Sequence, residues 1–378
     1  MPPSPEAHRR SSPSGPDLHL VLGTGTHVAP ASATVARTRP SRLTGIDAAR
    51  VVATLGVIWV HVVEMQGHPQ TTAAWGRFGT SFYIAALALF AVRGSLADPR
   101  RTPTDELERG AKRLLLPFLG WCAIYSVFYG RHALEVGQLH LLTEWWGPLA
   151  GTARHLWFLP FAWGCAALVN WMTRRTRDFS TRELGSLAVS VGVTSYFVGY
   201  GIVFFILPRE FLHDTHMHRV DRWVEELPLL LTVACLALWL IRRGPPQRSF
   251  RTAAWCAGAF VAIEAIYGRW VIAFQETTHH LDARYLSHLA GLALLATFLA
   301  LPEGRVTRWM SKLRHVTYFT FLAHLIVLES VGGHLYNMPG FGTLPFAVAT
   351  TLGVFTVASL LGAVVRRIPG LRLLAGAS

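Results

Sequence analysis

Charge is what this chain has least of. Of its 378 residues, 15% are Asp, Glu, Lys or Arg, against the roughly 25% of a soluble domain. That shortage excludes the soluble two-domain reading that length alone would favour. Cysteine is scarcer still: Cys122, Cys165, Cys235 and Cys256 are the only four. All fall inside apolar runs, and none makes a close pair at metal-site spacing, so they read as small core residues. The formal charge of +13 is not gathered into a domain that could grip nucleic acid; it sits in short loops. The first 42 residues lack any long apolar run. Leu20-Val-Leu22 is too short for a secretory signal. The Pro, Ser, Ala, Thr and Arg around it cannot bury a core, so 1–42 is expected to be a disordered basic cytoplasmic tail.

What the chain has instead is hydrophobicity, 51% of its residues, in runs recurring from about Asp47 to Val365. Each run is near the ~20 residues that cross a bilayer. Ten spans are expected, at about 47–66, 78–96, 113–130, 155–173, 184–207, 227–242, 252–274, 283–301, 316–335 and 343–365. With the N-terminus inside, the cytoplasmic segments hold 26 of the 35 Lys and Arg residues. The external loops keep Arg77, Arg131, Arg154, Arg209, Arg219, Arg222 and Arg284, while Arg50 and Arg269 lie within spans. This bias orients the chain. The expected fold is an all-α integral membrane protein of about ten transmembrane helices, both termini cytoplasmic, in a plasma (bacterial inner) membrane. Its membrane domain covers 43–366, with a short tail at 367–378.

The first span carries Arg50 near one end and His61 near the other. An ionisable residue inside a span costs roughly 2.5–3.5 kcal/mol, so it usually faces a cavity or a partner. Eleven residues of α-helix separate the two by about 16 Å and return them to within roughly 20° of one face. On the expected topology Arg50 is cytoplasmic and His61 lies toward the outside. Glu64, three residues on, is placed to orient His61. Other polar positions are weaker candidates. His213, His216 and His218 share an external loop where zinc is conceivable, but loops commonly carry histidines and no metal is expected. His216 to Asp221 has a His-x4-Asp spacing without a matching context, and His279 and His280 have no partner motif. Glu264 and Arg269, in the seventh span, are each expected to need an interior partner. Charged positions within spans also suit a transporter, although no internal repeat is visible.

Four stretches, in order, resemble one family. Gly45-Ile-Asp-Ala-Ala-Arg50 through Trp59-Val-His61 is similar to its opening motif, a basic residue, ten residues, then His. Lys112-Arg113-Leu-Leu-Leu-Pro117 is similar to the start of its third span. Arg154-His155-Leu-Trp157-Phe158-Leu159 is similar to its His-Leu-Trp-Phe-Leu signature. Thr317-Tyr-Phe-Thr-Phe321-Leu322-Ala-His324 is similar to a late Ser-x-x-x-Tyr-Leu-x-His pattern. The chain thus resembles the acyltransferase-3 family of membrane-bound O-acyltransferases, in its stand-alone form. The second span departs: the family's Phe-Phe-x-x-Ser-Gly corresponds here to Phe82-Tyr83-Ile-Ala-Ala86-Leu87.

The resemblance implies transfer of an acyl group, acetyl above all, from acyl-CoA to a hydroxyl of a carbohydrate or natural product. A rival is a multi-pass transporter or a non-catalytic glycan exporter. Ester formation from a thioester needs a base, which His61 oriented by Glu64 can supply because an imidazole titrates near ~6.5. It also needs cations for the phosphates of acyl-CoA, with Arg50, Lys112 and Arg113 as candidates. The acceptor side falls to Arg154, His155, Trp157 and His324, since imidazoles hold hydroxyls and aromatic faces suit sugar rings. Direct transfer and an acyl-histidine are both open.

Overall fold

The apolar runs fold as long helices. The computed structural model describes residues 43–98, 100, 102–135, 153, 155–201, 218–244, 248–274 and 282–375, and no strand occurs among them. In chain order the helices are α1 (Thr44–Met65), the short α2 (Gln70–Ala74), α3 (Phe78–Ala97), α4 (Pro103–Gly110) and α5 (Leu116–Glu135). They continue as α6 (Phe158–Arg175), α7 (Thr181–Gly201), α8 (His218–Arg243) and α9 (Phe250–Phe274). The last are α10 (Asp282–Ala300), α11 (Arg305–Lys312), α12 (Arg314–Leu335) and α13 (Leu344–Val365). A long helix lies on each expected run. Among the described residues five columns are long and apolar enough to cross a membrane: α1, α2–α3, α4–α5, α12 and α13. A sixth does so if α10 and α11, bent by 117°, count as one span. The tail 1–42, Arg154, His213, His216, His279 and His280 lie outside the described residues.

Two boundaries differ from the sequence reading, each for a physical reason. The third column starts at Pro103 rather than near 113. A capping box opens it, with Thr102 Oγ1 accepting from Asp105 N–H at 3.1 Å and the Asp105 carboxylate from Thr102 N–H at 2.7 Å. Between α4 and α5 the chain widens into a π-helical segment, Ala111–Leu115, where Leu116 N–H donates to the Ala111 carbonyl. Pro117 explains it: proline has no N–H for the Arg113 carbonyl and its ring presses on that carbonyl. Helix α8, on the sixth expected run, begins at His218, before the apolar stretch, because its polar first turns are helical too.

Helix α1 is the hub, packing on α2, α3, α10, α11, α12 and α13. Its first half (Ile46, Ala49, Ala53) belongs to a core built with α3, α6, α8 and α10. Its second half (Val57, Ile58, Val62, Val63) belongs to a core with α5, α6, α12 and α13. Tyr83 and Phe158 pack against both cores. Close approach of α1 and α3 depends on Gly79, where an added Cβ would lie 2.5 Å from the Ala53 carbonyl oxygen. Small residues at such crossings are how helices meet in a bilayer. On the outside, Val127, Phe197, Trp255, Val261 and Leu360 are exposed, apolar surface suited to lipid and not to water.

Candidate active site

One stripe of α1 carries the polar residues of its span. Asp47, Arg50, Thr54, His61 and Glu64 recur at heptad-like spacing and stay within about 100° of arc. At one end His61 Nδ1 lies 3.8 Å from Glu64 Oε2, beyond a hydrogen bond but within ion-pair reach once the ring is protonated. The His61 ring meets that of His324 on α12, centroids 5.2 Å apart, and the His324 ring meets that of His155, just ahead of α6, at 4.9 Å. Three histidines from distant stretches therefore come together. His155 and His324 are buried; His61 keeps 16% of its side chain exposed and is the one a substrate can reach.

Carbonyls set two of the tautomers, because a carbonyl can only accept. His324 Nδ1–H donates to the Phe321 carbonyl at 2.7 Å, so in the neutral ring Nε2 carries the lone pair. That Nε2 is buried and has no hydrogen-bond partner among the described residues. His155 Nε2–H donates to the Leu322 carbonyl at 3.0 Å, and the Tyr125 hydroxyl donates to the same oxygen at 2.8 Å. Both acceptors belong to the Phe321-Leu322-Ala-His324 stretch, which gives that motif a local role. Its threonines turn inward as well: Thr320 Oγ1 donates to the Val316 carbonyl at 2.9 Å and lies 3.0 Å from Ser359 Oγ. These hydroxyls at membrane depth thus find their partners within the bundle.

At the other end of the stripe, Arg50 Nη1 is 3.6 Å from Asp47 Oδ1, and its guanidinium lies over the Phe90 ring, 5.0 Å from the centroid. The Arg50 carbonyl accepts from Thr54 Oγ1 at 2.7 Å and from the Tyr83 hydroxyl at 3.2 Å, with those two oxygens 2.6 Å apart. Tyr83 lies where the second span departs from the expected pattern, and its hydroxyl ties α3 to the Arg50 turn.

The remaining candidates are placed as follows. Lys112 and Arg113 are exposed within the π-helical segment, a device common at functional sites. Trp157 is buried, packed edge-on against Phe158 and Phe161. Glu264 has both carboxylate oxygens buried without a hydrogen-bond partner among the described residues, while Arg269 is exposed. Five residues of helix turn two side chains about 140° apart, so the pair does not share a face.

Sequence reasoning missed a second polar cluster. His288 Nε2 on α10 lies 2.9 Å from Glu226 Oε2 on α8, a close approach off the hydrogen-bonding axis, and Tyr196 on α7 is 3.2 Å from His288 Nδ1. Both members of the pair are buried. It also missed Asp47 and Thr54, which heptad spacing from Arg50 and His61 could have found, and Tyr125, which no local signal marks. Among the described residues no group of three or more His, Cys, Asp or Glu is arranged to hold a metal ion.

A family model described as an acyltransferase domain, that of the acyltransferase-3 family, matches residues 43–363 of the chain. No curated protein and no solved structure matches it.

Proposed function

The chain belongs to the acyltransferase-3 family, and on that premise we propose that it transfers an acyl group, acetyl above all, from acyl-CoA to a hydroxyl of a carbohydrate or sugar-bearing natural product. The carrying observation is the meeting of His61, His155 and His324, with only His61 exposed and with Arg50 on the same stripe of α1 about 16 Å away. Ten spans in a bacterial plasma membrane, with the tail 1–42 and the segment 367–378 both cytoplasmic, put Arg50 on the side of the donor. Lys112 and Arg113 stand on that side too, ready for its phosphates.

The reaction assigns each group one task. His61 Nε2 removes the acceptor's hydroxyl proton as the oxygen attacks the thioester carbonyl carbon. The C–O bond forms, the C–S bond breaks, and the leaving thiolate takes the proton from the imidazolium. Glu64 stabilises that imidazolium, and its place beside Nδ1 leaves Nε2 for the chemistry. His324 packs its ring against that of His61, while His155 and Tyr125, bound to the Leu322 carbonyl, hold the α12 backbone behind it. Arg154 and Trp157 lie on either side of His155 in sequence. Arg154 is assigned to the acceptor side by its place beside His155 in sequence, and Trp157 packs edge-on against Phe158, whose ring meets that of Phe321.

The test is transfer of radiolabel from acetyl-CoA to a panel of hydroxylated acceptors by the purified protein, beside His61→Ala. General-base catalysis contributes about 10²–10⁴-fold, and a loss of that size is expected. Wild type that transfers no more label than the variant ends the enzyme reading.

A further inference from the structure

One carboxylate holds two arginines at the end of α1 farthest from His61. Asp47 Oδ1 lies 3.6 Å from Arg50 Nη1, and Asp47 Oδ2 lies 3.6 Å from Nη1 of Arg314, the first residue of α12. Neither separation is a hydrogen bond, so the carboxylate sets the two guanidinium groups side by side without consuming their forks. The exposures divide the labour: Asp47 keeps 10% of its side chain exposed, Arg50 33% and Arg314 29%. The anion is buried beneath, and the two cations keep more of their side chains exposed. Each arginine is braced from behind. Phe90 lies under the Arg50 guanidinium, and Arg314 Nε donates to His315 Nε2 at 3.2 Å. Arg366 Nη1 donates to the His315 carbonyl at 2.8 Å, which adds a third cation nearby.

We propose that Arg50 and Arg314, spaced by Asp47, form a two-pronged site for a diphosphate, and that in this protein it takes the diphosphate of the acyl-CoA donor. Planar guanidinium forks match phosphate oxygens bidentately, which a lysine cannot do, and two held in register suit two linked phosphates. Arg314 then becomes a donor-binding residue outside all four motif stretches. The assignment rests on the acyl-CoA reading above. The phosphates of a lipid headgroup offer the same chemistry, so the experiment separates the two sources.

Coenzyme A is titrated calorimetrically into the full-length protein in phosphatidylcholine nanodiscs. Arg314→Gln and Arg50→Gln are each expected to weaken binding roughly 10- to 100-fold, the value of a charge-assisted hydrogen-bonded pair. Arg314→Lys, which keeps charge and loses the fork, falls between and covers the case in which the glutamine variant does not fold. Arg248→Gln, removing an exposed partner of Glu303, leaves binding unchanged. Coenzyme A binding by Arg314→Gln within twofold of wild type overturns the proposal. So does the headgroup result, in which that variant binds coenzyme A normally but no longer retains phosphatidylglycerol that copurifies with wild type. Acyl transfer is read separately. A protein that binds coenzyme A through Arg314 and transfers nothing loses the reaction and keeps the site; one that transfers normally as Arg314→Gln loses the site and keeps the reaction.

Discussion

Replacing Glu64 by Gln removes a charge while keeping the shape of the side chain. Glu64 Oε2 lies 3.8 Å from His61 Nδ1. If His61 takes a proton in the transition state, the imidazolium forms beside that carboxylate. At 3.8 Å the Coulomb energy is about 1 kcal/mol at the dielectric constant of water and about 4 kcal/mol at an effective value near 20. Glu64 keeps 26% of its side chain exposed, so water screens part of the interaction. We expect about 1–3 kcal/mol, or roughly 5- to 150-fold in kcat. The assay is steady-state transfer of labelled acetyl at saturating donor and acceptor, with the donor KM unchanged because Glu64 lies at the end of α1 opposite Arg50. A Glu64→Gln protein within twofold of wild type would refute the stabilising role. A loss far beyond 10³-fold would refute it from the other side, since the pair's charge interaction cannot supply so much.

Two further perturbations test the frame around the site. Glu226→Leu leaves the His288 ring buried without its polar partner and should cost about 1–3 kcal/mol of stability, whereas Glu226→Leu with His288→Leu should recover most of it; thermal unfolding in detergent reads both, and a single variant melting like wild type denies the pair a structural role. Gly79→Ala forces a methyl group toward the Ala53 carbonyl and should cost about 1–3 kcal/mol by overpacking. An unchanged melting temperature would mean that α1 and α3 do not lie so close.

Much of this architecture is legible in the chain because a bilayer leaves few choices. Backbone groups must be paired inside each segment, so a long apolar run is a helix. The places of the ten long helices could therefore be read directly, and so could the shared face of Arg50 and His61 on the first of them. The joining of that helix to the others could not. Leu322 is met by His155 across 167 residues and by Tyr125 across 197, and no local pattern encodes either contact. Tyr83 was hidden for another reason: inside an apolar run a tyrosine counts as one more hydrophobic residue, and only the fold shows its hydroxyl against the Arg50 turn. Glu226 was obscured because the polar first turns of α8 do not look like part of a span, and His288 because its partner stands on a different helix.

The π-helical segment at Ala111–Leu115 has a meaning for the whole third column. A π turn amounts to one residue too many for the α-helical count, and each residue is worth about 100° of rotation. The column thus carries a phase offset, like a vernier set one notch over, between its first turns and the rest. Phe118, Trp121 and Tyr125 all point inward downstream of it. The π turn thus sets the rotational phase between Lys112 and Arg113 at the start of the column and Tyr125, whose hydroxyl donates to the Leu322 carbonyl.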